Sequence, residues 1–307
     1  MPYFFRMTPL VLVLLTACIE SLDPPSIVVT PRILAVVAEP PESAPGTDIV
    51  VDAMISIPEH IQRPLSLRWQ ACLSLQEVLQ ASGFRNIEIP GTPECAPQTL
   101  AEGEPYLVRG ERTQALVDLV RTFGSLGGFD TSLIEGVLST AGFAFVVDVD
   151  VIDANGVVVV SGYKRVAMTT RTTPTTNPPS PEFRIGEFVV ETTDRFTCTS
   201  ADGQVPVIAP GREIELAPLL PEGLEEEPWL ESFPIFDFTG GLQIAEENAY
   251  YTWYATAGSL SEHTTRPPER KITWTTPATA GPHTIWLVIR DGHLGQSACR
   301  LDVTIAP

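Results

Sequence analysis

From Arg32 onward, apolar residues arrive in short runs separated by Pro, Gly, Asn and Asp. Val147, Val149 and Val151 alternate with Asp148 and Asp150, the period-two signature of a strand with one face in a core. Two apolar runs enclose Asp153-Ala-Asn-Gly156, and two enclose Asp291-Gly292; Asn-Gly and Asp-Gly supply the positive backbone angles of a tight hairpin. Ala44-Pro45-Gly46 leads into a strand from Val50 to Ile55, and Ala209-Pro210-Gly211 leads into one from Glu215 to Ala217. Each half then reaches a tryptophan in a strand, Trp69 and Trp253. The pattern predicts a mainly β chain of two antiparallel sandwiches in tandem, each built around a buried Trp.

Helical periodicity interrupts the first half between Cys72 and Phe143. Ala115, Leu116, Leu119, Val120 and Phe123 form one apolar stripe over 112–123, and Leu133, Ile134, Val137 and Leu138 form another over 132–140. Ser132-x-x-Glu135 fits a capping box, and Gly124-Ser-Leu-Gly-Gly128 would let the two helices fold back. The run Thr172-Thr-Pro-Thr-Thr-Asn-Pro-Pro-Ser-Pro181 lacks many backbone donors and reads as an extended, stiff linker. The expected boundaries are a first sandwich over 32–171 with a helical insert at about 73–142, a linker over 172–182 and a second sandwich over 183–307.

The N-terminus follows a different rule. One positive charge at Arg6 precedes the apolar run Leu10 to Leu15, the layout of a signal peptide over residues 1–17, too short to span a bilayer permanently. Leu15-Thr16-Ala17-Cys18 resembles the bacterial lipobox, and that resemblance implies cleavage before Cys18 and its acylation, with palmitate among the chains. Residues 18–31 then form a tether, and Ile19 after the cysteine points to the outer membrane of a cell envelope. With Cys18 reserved for lipid, Cys72, Cys95, Cys198 and Cys299 remain in an oxidising compartment, which predicts two disulfides. Three pairings are open; Cys72 with Cys95 and Cys198 with Cys299 is favoured because each bridge stays within one sandwich.

The segments Arg32 to Gly46, Tyr251 to Leu260, Thr273 to Pro277 and Gly281 to Gly292 together resemble the Ig-like or PKD-like surface lipoproteins of myxobacterial type. The resemblance covers most of the mature chain and implies Ig-like/PKD-like β-sandwich domains, in a family most of whose members have no assigned activity. The insert of the first half departs from a simple Ig pattern.

Charge narrows the partners. A net charge of −19 with no Lys/Arg cluster argues against nucleic acid and against anionic headgroups as direct ligands. In the second half, 222–247 gathers Glu222, Glu225, Glu226, Glu227, Glu231, Asp237, Glu246 and Glu247 around Trp229, Phe233, Phe236 and Phe238. Aromatic anchors among steering carboxylates make these four rings candidate partner-binding residues.

No catalytic or metal set emerges. Gly-x-Ser-x-Gly, Cys-x-x-Cys and a phosphate-cradling glycine loop do not occur, and His60, His263, His283 and His293 lie without ligand spacing. Asp148, Asp150, Asp153 and Asn155 approach a calcium loop, but their alternation with valines fits a strand's outer face. The expectation is a non-enzymatic lipoprotein without cofactor that binds an envelope protein or a glycan; a structural envelope subunit is the second reading and a hydrolase the third.

Overall fold

The computed structural model describes residues 25–58, 61, 63–73, 95–126, 131–220, 226–236 and 242–307. The first sandwich contains β1 (Arg32–Glu39), β2 (Glu42–Ser43), β3 (Ile49–Ser56), β4 (Ser66–Ala71), β5 (Gln98–Ala101) and β6 (Tyr106–Val108). Helices α1 (Gly110–Leu126) and α2 (Thr131–Ser139) follow, and β7 (Phe143–Ile152) and β8 (Val158–Met168) close the unit. Among the described residues, β1-β3-β6 form one sheet and β2-β8-β7-β4-β5 the other. Phe145, Val147, Val149 and Val151 point into the space between them while Asp148 faces out, as strand alternation requires. Trp69 on β4 stacks on Tyr106 of β6 with centroids 5.7 Å apart, so one ring pair joins both sheets.

The helices belong to this core. Thr113, Leu116, Val117 and Val120 are the buried stripe of α1, whereas Ala115 and Leu119 lie exposed, so the helix is rotated from the expected stripe. Its start explains the rotation. Asp48 accepts the Gly110 backbone N–H at 2.7 Å, and Thr113 Oγ1 accepts that of Gly46 at 3.1 Å. A side chain at Gly110 would meet the Gly46 carbonyl at 2.1 Å, so only glycine lets the helix sit on the Ala-Pro-Gly turn. Glu135 does not reach back as a capping box; both its oxygens accept from Arg121 of α1, which clamps the two helices.

The second sandwich comprises β9 (Phe183–Ile185), β10 (Phe188–Asp194), β11 (Thr197–Ser200), β12 (Val207–Ile208), β13 (Glu213–Pro218), β14 (Ser232–Phe236) and β15 (Leu242–Glu246). It continues through β16 (Tyr250–Ala255), β17 (Ser259–Leu260), β18 (Thr264–Thr265), β19 (Ile272–Thr275), β20 (Gly281–Arg290) and β21 (Gln296–Ile305). Apart from the β14–β15 hairpin, the described strands form one sheet path, β17-β19-β13-β9-β10-β11-β21-β20-β16-β18, with β12 beside β21. Leu216, Ile272 and Trp274 from one end share a core with Trp253, Leu287 and Leu301 from the other, so the sheet wraps round a single interior. Phe183 meets Trp253 edge to face at 5.4 Å.

A third apolar cluster joins the sandwiches. Val28, Leu34, Ala35, Val37 and Met54 pack against Trp286, Val288 and Ala298. The Pro/Thr-rich connection has no regular element, yet it is bonded on both sides. Thr175 N–H donates to Glu42 at 2.6 Å, Asn177 Nδ2 donates to the Ala38 carbonyl at 2.7 Å, and Asn177 Oδ1 accepts from Gln296 N–H at 2.9 Å. Ser26 to Val28, expected within the tether, are buried against the fold, and Ile27 pairs in parallel with Ala255. Residues 26–28 therefore belong to the packed body and not to a tether. The two sandwiches are one packed body rather than beads on a stiff string.

Candidate ligand groove between the sandwiches

Where β1 and β8 of the first sandwich face β16 and β20 of the second, a groove of about 430 Å³ opens. Gly162 makes its floor, because the missing side chain lets Ile33 of β1 lie across β8; a Cβ there would meet Ile33 Cδ1 at 3.0 Å. Tyr163, 70% exposed, and Tyr254 also line it. Pro25 lies on its rim.

Two half-buried arginines line this space. Arg290 spans the interface, donating to Thr252 Oγ1 at 3.0 Å and to the Leu34 carbonyl at 2.9 Å; Arg32 donates to the Pro25 carbonyl. Among the described residues neither lies within ion-pair distance of a carboxylate, in a chain where acids outnumber basic residues by 38 to 19. Beside them His263 packs edge to face on Tyr254 at 5.1 Å, and its Nε2 is buried with no protein partner. Burial first, then the charges of Arg290 and Arg32, hold its imidazole below the usual range, so it stands neutral at pH 7. Gln296 Oε1 is buried and unpartnered in the same wall. Buried polar atoms are rarely left open, so these two nominate the groove as a place completed by something else.

The arrangement offers recognition more than bond making. Ser161 Oγ, the hydroxyl at the groove's edge, donates to Asp150 at 2.5 Å, and Asp150 also accepts from Arg68 at 2.6 Å. Asp153 caps the hairpin turn by accepting from Asn155 and Val157 N–H at 2.9 Å. The carboxylates that approach a calcium loop in sequence are thus tied to other groups. No cluster able to hold a metal occurs among the described residues.

The residues nominated by sequence fall elsewhere. Cys18 lies outside the described residues, as does Phe238, and nothing is described of the Phe236 side chain. Cys72 pairs with Cys95 and Cys198 with Cys299, with Cα separations of 5.1 and 5.6 Å; the second bridge ties the neighbouring parallel strands β11 and β21. Trp229 and Phe233 correct the expectation of a displayed aromatic surface. Trp229 is half-buried against the second core, and Phe233 is buried with its ring 3.6 Å from that of His293. Strand parity explains the burial of Phe233: Phe233 and Ala245 face inward across the hairpin, and the opposite face leaves Leu242 and Ile244 exposed. Two of the loop's acids are structural as well. Glu227 accepts from Arg270 Nε at 2.6 Å and Tyr251 Oη at 2.9 Å, and Glu247 accepts the Glu231 N–H at 3.0 Å.

No known family model matches the chain, and no curated protein matches it. Among solved structures it is similar to the D0-D1 domain of intimin, at 10% identity over 90% of this chain and 99% of that one, with a TM-score of 0.21. It is also similar to the FN1–FN3 domains of chicken CNTN1, at 10% identity over 91% and 68% of the two chains and a TM-score of 0.23. Fibronectin(III)-like modules of CbhA from Clostridium thermocellum give 8% identity over 88% and 94%, with a TM-score of 0.21. At such scores no ligand or partner carries over.

Proposed function

We propose that this chain is a lipid-anchored, extracytoplasmic binding module of a bacterial envelope, non-enzymatic, whose ligand sits between its two sandwiches. The observation that carries the binding role is the groove itself: two arginines without carboxylate partners among the described residues, two buried polar atoms with no partner there and two lining tyrosines, assembled from both units. Interfaces between domains are where ligand sites concentrate, because two surfaces make a concavity that neither has alone. The anchor rests on Leu15-Thr-Ala-Cys18 and on the docking of the chain at Pro25, seven residues later. Acyl chains contribute about 0.8 kcal/mol per buried methylene, so two or three hold the body at the surface without a spanning helix. The same reading puts the protein on the outer membrane, engaging an envelope glycan or protein.

Expression of the full chain in a bacterial host with labelled palmitate tests the anchor. Label should appear in the wild type and vanish with Cys18→Ala, which should also leave the membrane fraction; label retained on Cys18→Ala would remove the lipid reading. Screening the detergent-solubilised chain on glycan arrays and against envelope extracts tests the binding role, and a chain that captures nothing in either would refute it. The structural-subunit reading has its own support in the β14–β15 hairpin, whose outer face exposes Leu242 and Ile244 at 51% and 66%.

A further inference from the structure

The groove's chemistry specifies a ligand class more closely than the binding role requires. Partly desolvated guanidinium groups are held at a cost unless an anion meets them, and arginine's fork matches a carboxylate or a phosphate. Arg32 and Arg290 line one cavity, and among the described residues the guanidinium of each is bonded only to neutral protein oxygens. An anion alone would not complete the wall. Gln296 Oε1 accepts and cannot donate, so it calls for a hydroxyl or N–H on the ligand, and neutral His263 offers Nε2 to a hydroxyl in either tautomer. Tyr163 and Tyr254 add aromatic surface of the kind that packs against the C–H groups of a sugar ring. A charge, hydroxyl donors and an apolar face coexist on one small unit in an acidic sugar.

We infer that the interdomain groove binds an anionic sugar, a pyranose ring carrying a carboxylate or a phosphate, with the acid on Arg32 and Arg290, hydroxyls on Gln296 and His263, and the ring against Tyr163. The cavity volume of about 430 Å³ lies in the range of small-molecule sites. The charge of the whole chain sharpens the selection. At −19 the surface repels polyanions at long range, so binding depends on these two short-range contacts and not on general attraction. The sugar has two sources: a free acidic polysaccharide, or the phosphorylated headgroup of a glycolipid in the membrane holding the chain. The second is within reach because the seven residue steps from Cys18 to Pro25 extend at most roughly 25 Å.

This inference rests on the groove being the binding site, and the test separates the two. The full chain in detergent is titrated by calorimetry with oligogalacturonate, with a neutral malto-oligosaccharide and with oligoglutamate, and is floated with vesicles with and without a phosphorylated glycolipid. Oligogalacturonate or the glycolipid vesicles should bind at least about tenfold more tightly than the neutral sugar, a difference of about 1.4 kcal/mol. Oligogalacturonate binding marks a polysaccharide source and glycolipid binding alone a headgroup; either supports the inference. Arg32→Gln should weaken binding by about tenfold and flatten its salt dependence, and Tyr163→Ala, at an exposed position that folding tolerates, should weaken it by a similar factor. Oligoglutamate binding as tight as oligogalacturonate would mean an acidic peptide site and overturn the assignment. So would anionic binding unchanged by both substitutions, or no binding by any anionic sugar. A neutral ligand lost with Tyr163→Ala would leave the binding module standing and overturn only the anionic-sugar assignment.

Discussion

Replacing Glu247 by Gln should abolish a loss of stability that the native protein undergoes between pH 6.5 and 8. Glu247 follows the β14–β15 hairpin and is 5% exposed; one oxygen accepts the Glu231 N–H and the other has no partner among the described residues. Burial, reinforced by the charges of Asp291, Glu231 and Glu42, pushes its carboxyl up to about 8 from the ordinary 4.5. The folded chain therefore keeps a proton that the unfolded chain has released. Its contribution is fully present below 4.5 and is lost as pH rises toward 8. Neighbouring groups act in other windows. Asp291, raised by burial to about 6, lowers stability between 3.8 and 6; His293, lowered by burial to about 4, raises stability between 4 and 6.5. Lys164, lowered by burial to about 8, raises it between 8 and 10.5. The interval from 6.5 to 8 is thus left mainly to Glu247. About 1.4 kcal/mol per pH unit over about 1.5 units gives a fall of about 2 kcal/mol. Glutamine keeps an acceptor for the Glu231 N–H and removes the titration. Urea unfolding followed by tryptophan fluorescence at the two pH values should show the wild-type midpoint dropping by roughly 0.7 M, for a slope of about 3 kcal/mol per molar, and the variant's midpoint holding steady. A wild-type midpoint unchanged across the interval, or a variant that keeps the fall, would refute the reasoning.

Truncating Trp286 to Ala removes the largest side chain of the interface cluster. It should cost about 3–5 kcal/mol and raise the radius of gyration seen by small-angle scattering, whereas an unchanged radius would show that the polar contacts alone hold the sandwiches together. Double Cys→Ala replacement should destabilise more at Cys198/Cys299 than at Cys72/Cys95, because the bridges close separations of 101 and 23 residues, worth about 5 and 3 kcal/mol in chain entropy. Calorimetric melting of the two variants orders them, and the reverse order would contradict the loop-entropy account.

What could be read from the chain was whatever is local. The Val147–Val151 alternation, the Asn155-Gly156 and Asp291-Gly292 turns and the two strand tryptophans each act within a few residues, and all are found in the sandwiches as predicted. The rotation of α1 was hidden because it depends on Gly110 lying on Gly46, a contact between residues 64 positions apart. The burial of Phe233 is hidden for a related reason. Acidic neighbours suggested display, but parity within the hairpin decides which ring turns inward, and the hairpin's pairing is invisible in composition. The groove had no motif at all. Its residues come from separate stretches between Pro25 and Gln296, and no local spacing in the sequence joins them.

The interface that carries the Glu247 titration also fixes the groove. Arg290 and Gln296 are opposite partners in the β20–β21 register and flank the turn between the strands. That turn is locked from inside by Asp291, which accepts from His293 N–H at 2.7 Å and Gly295 N–H at 2.6 Å. It is locked from outside by the first sandwich, whose buried Lys164 donates to the Leu294 carbonyl, and by the connection, whose Thr176 carbonyl would lie 2.7 Å from any Cβ at position 295. Lys164 follows Tyr163 on β8, and alternation sends the lysine under the turn while the tyrosine faces the groove. One cross-unit bond therefore sets the spacing between the tyrosine of one sandwich and the arginine of the other. A site fixed in this way before a ligand arrives would lose little freedom on binding, so the proposed contacts would be weakened less by ordering than those of a mobile site.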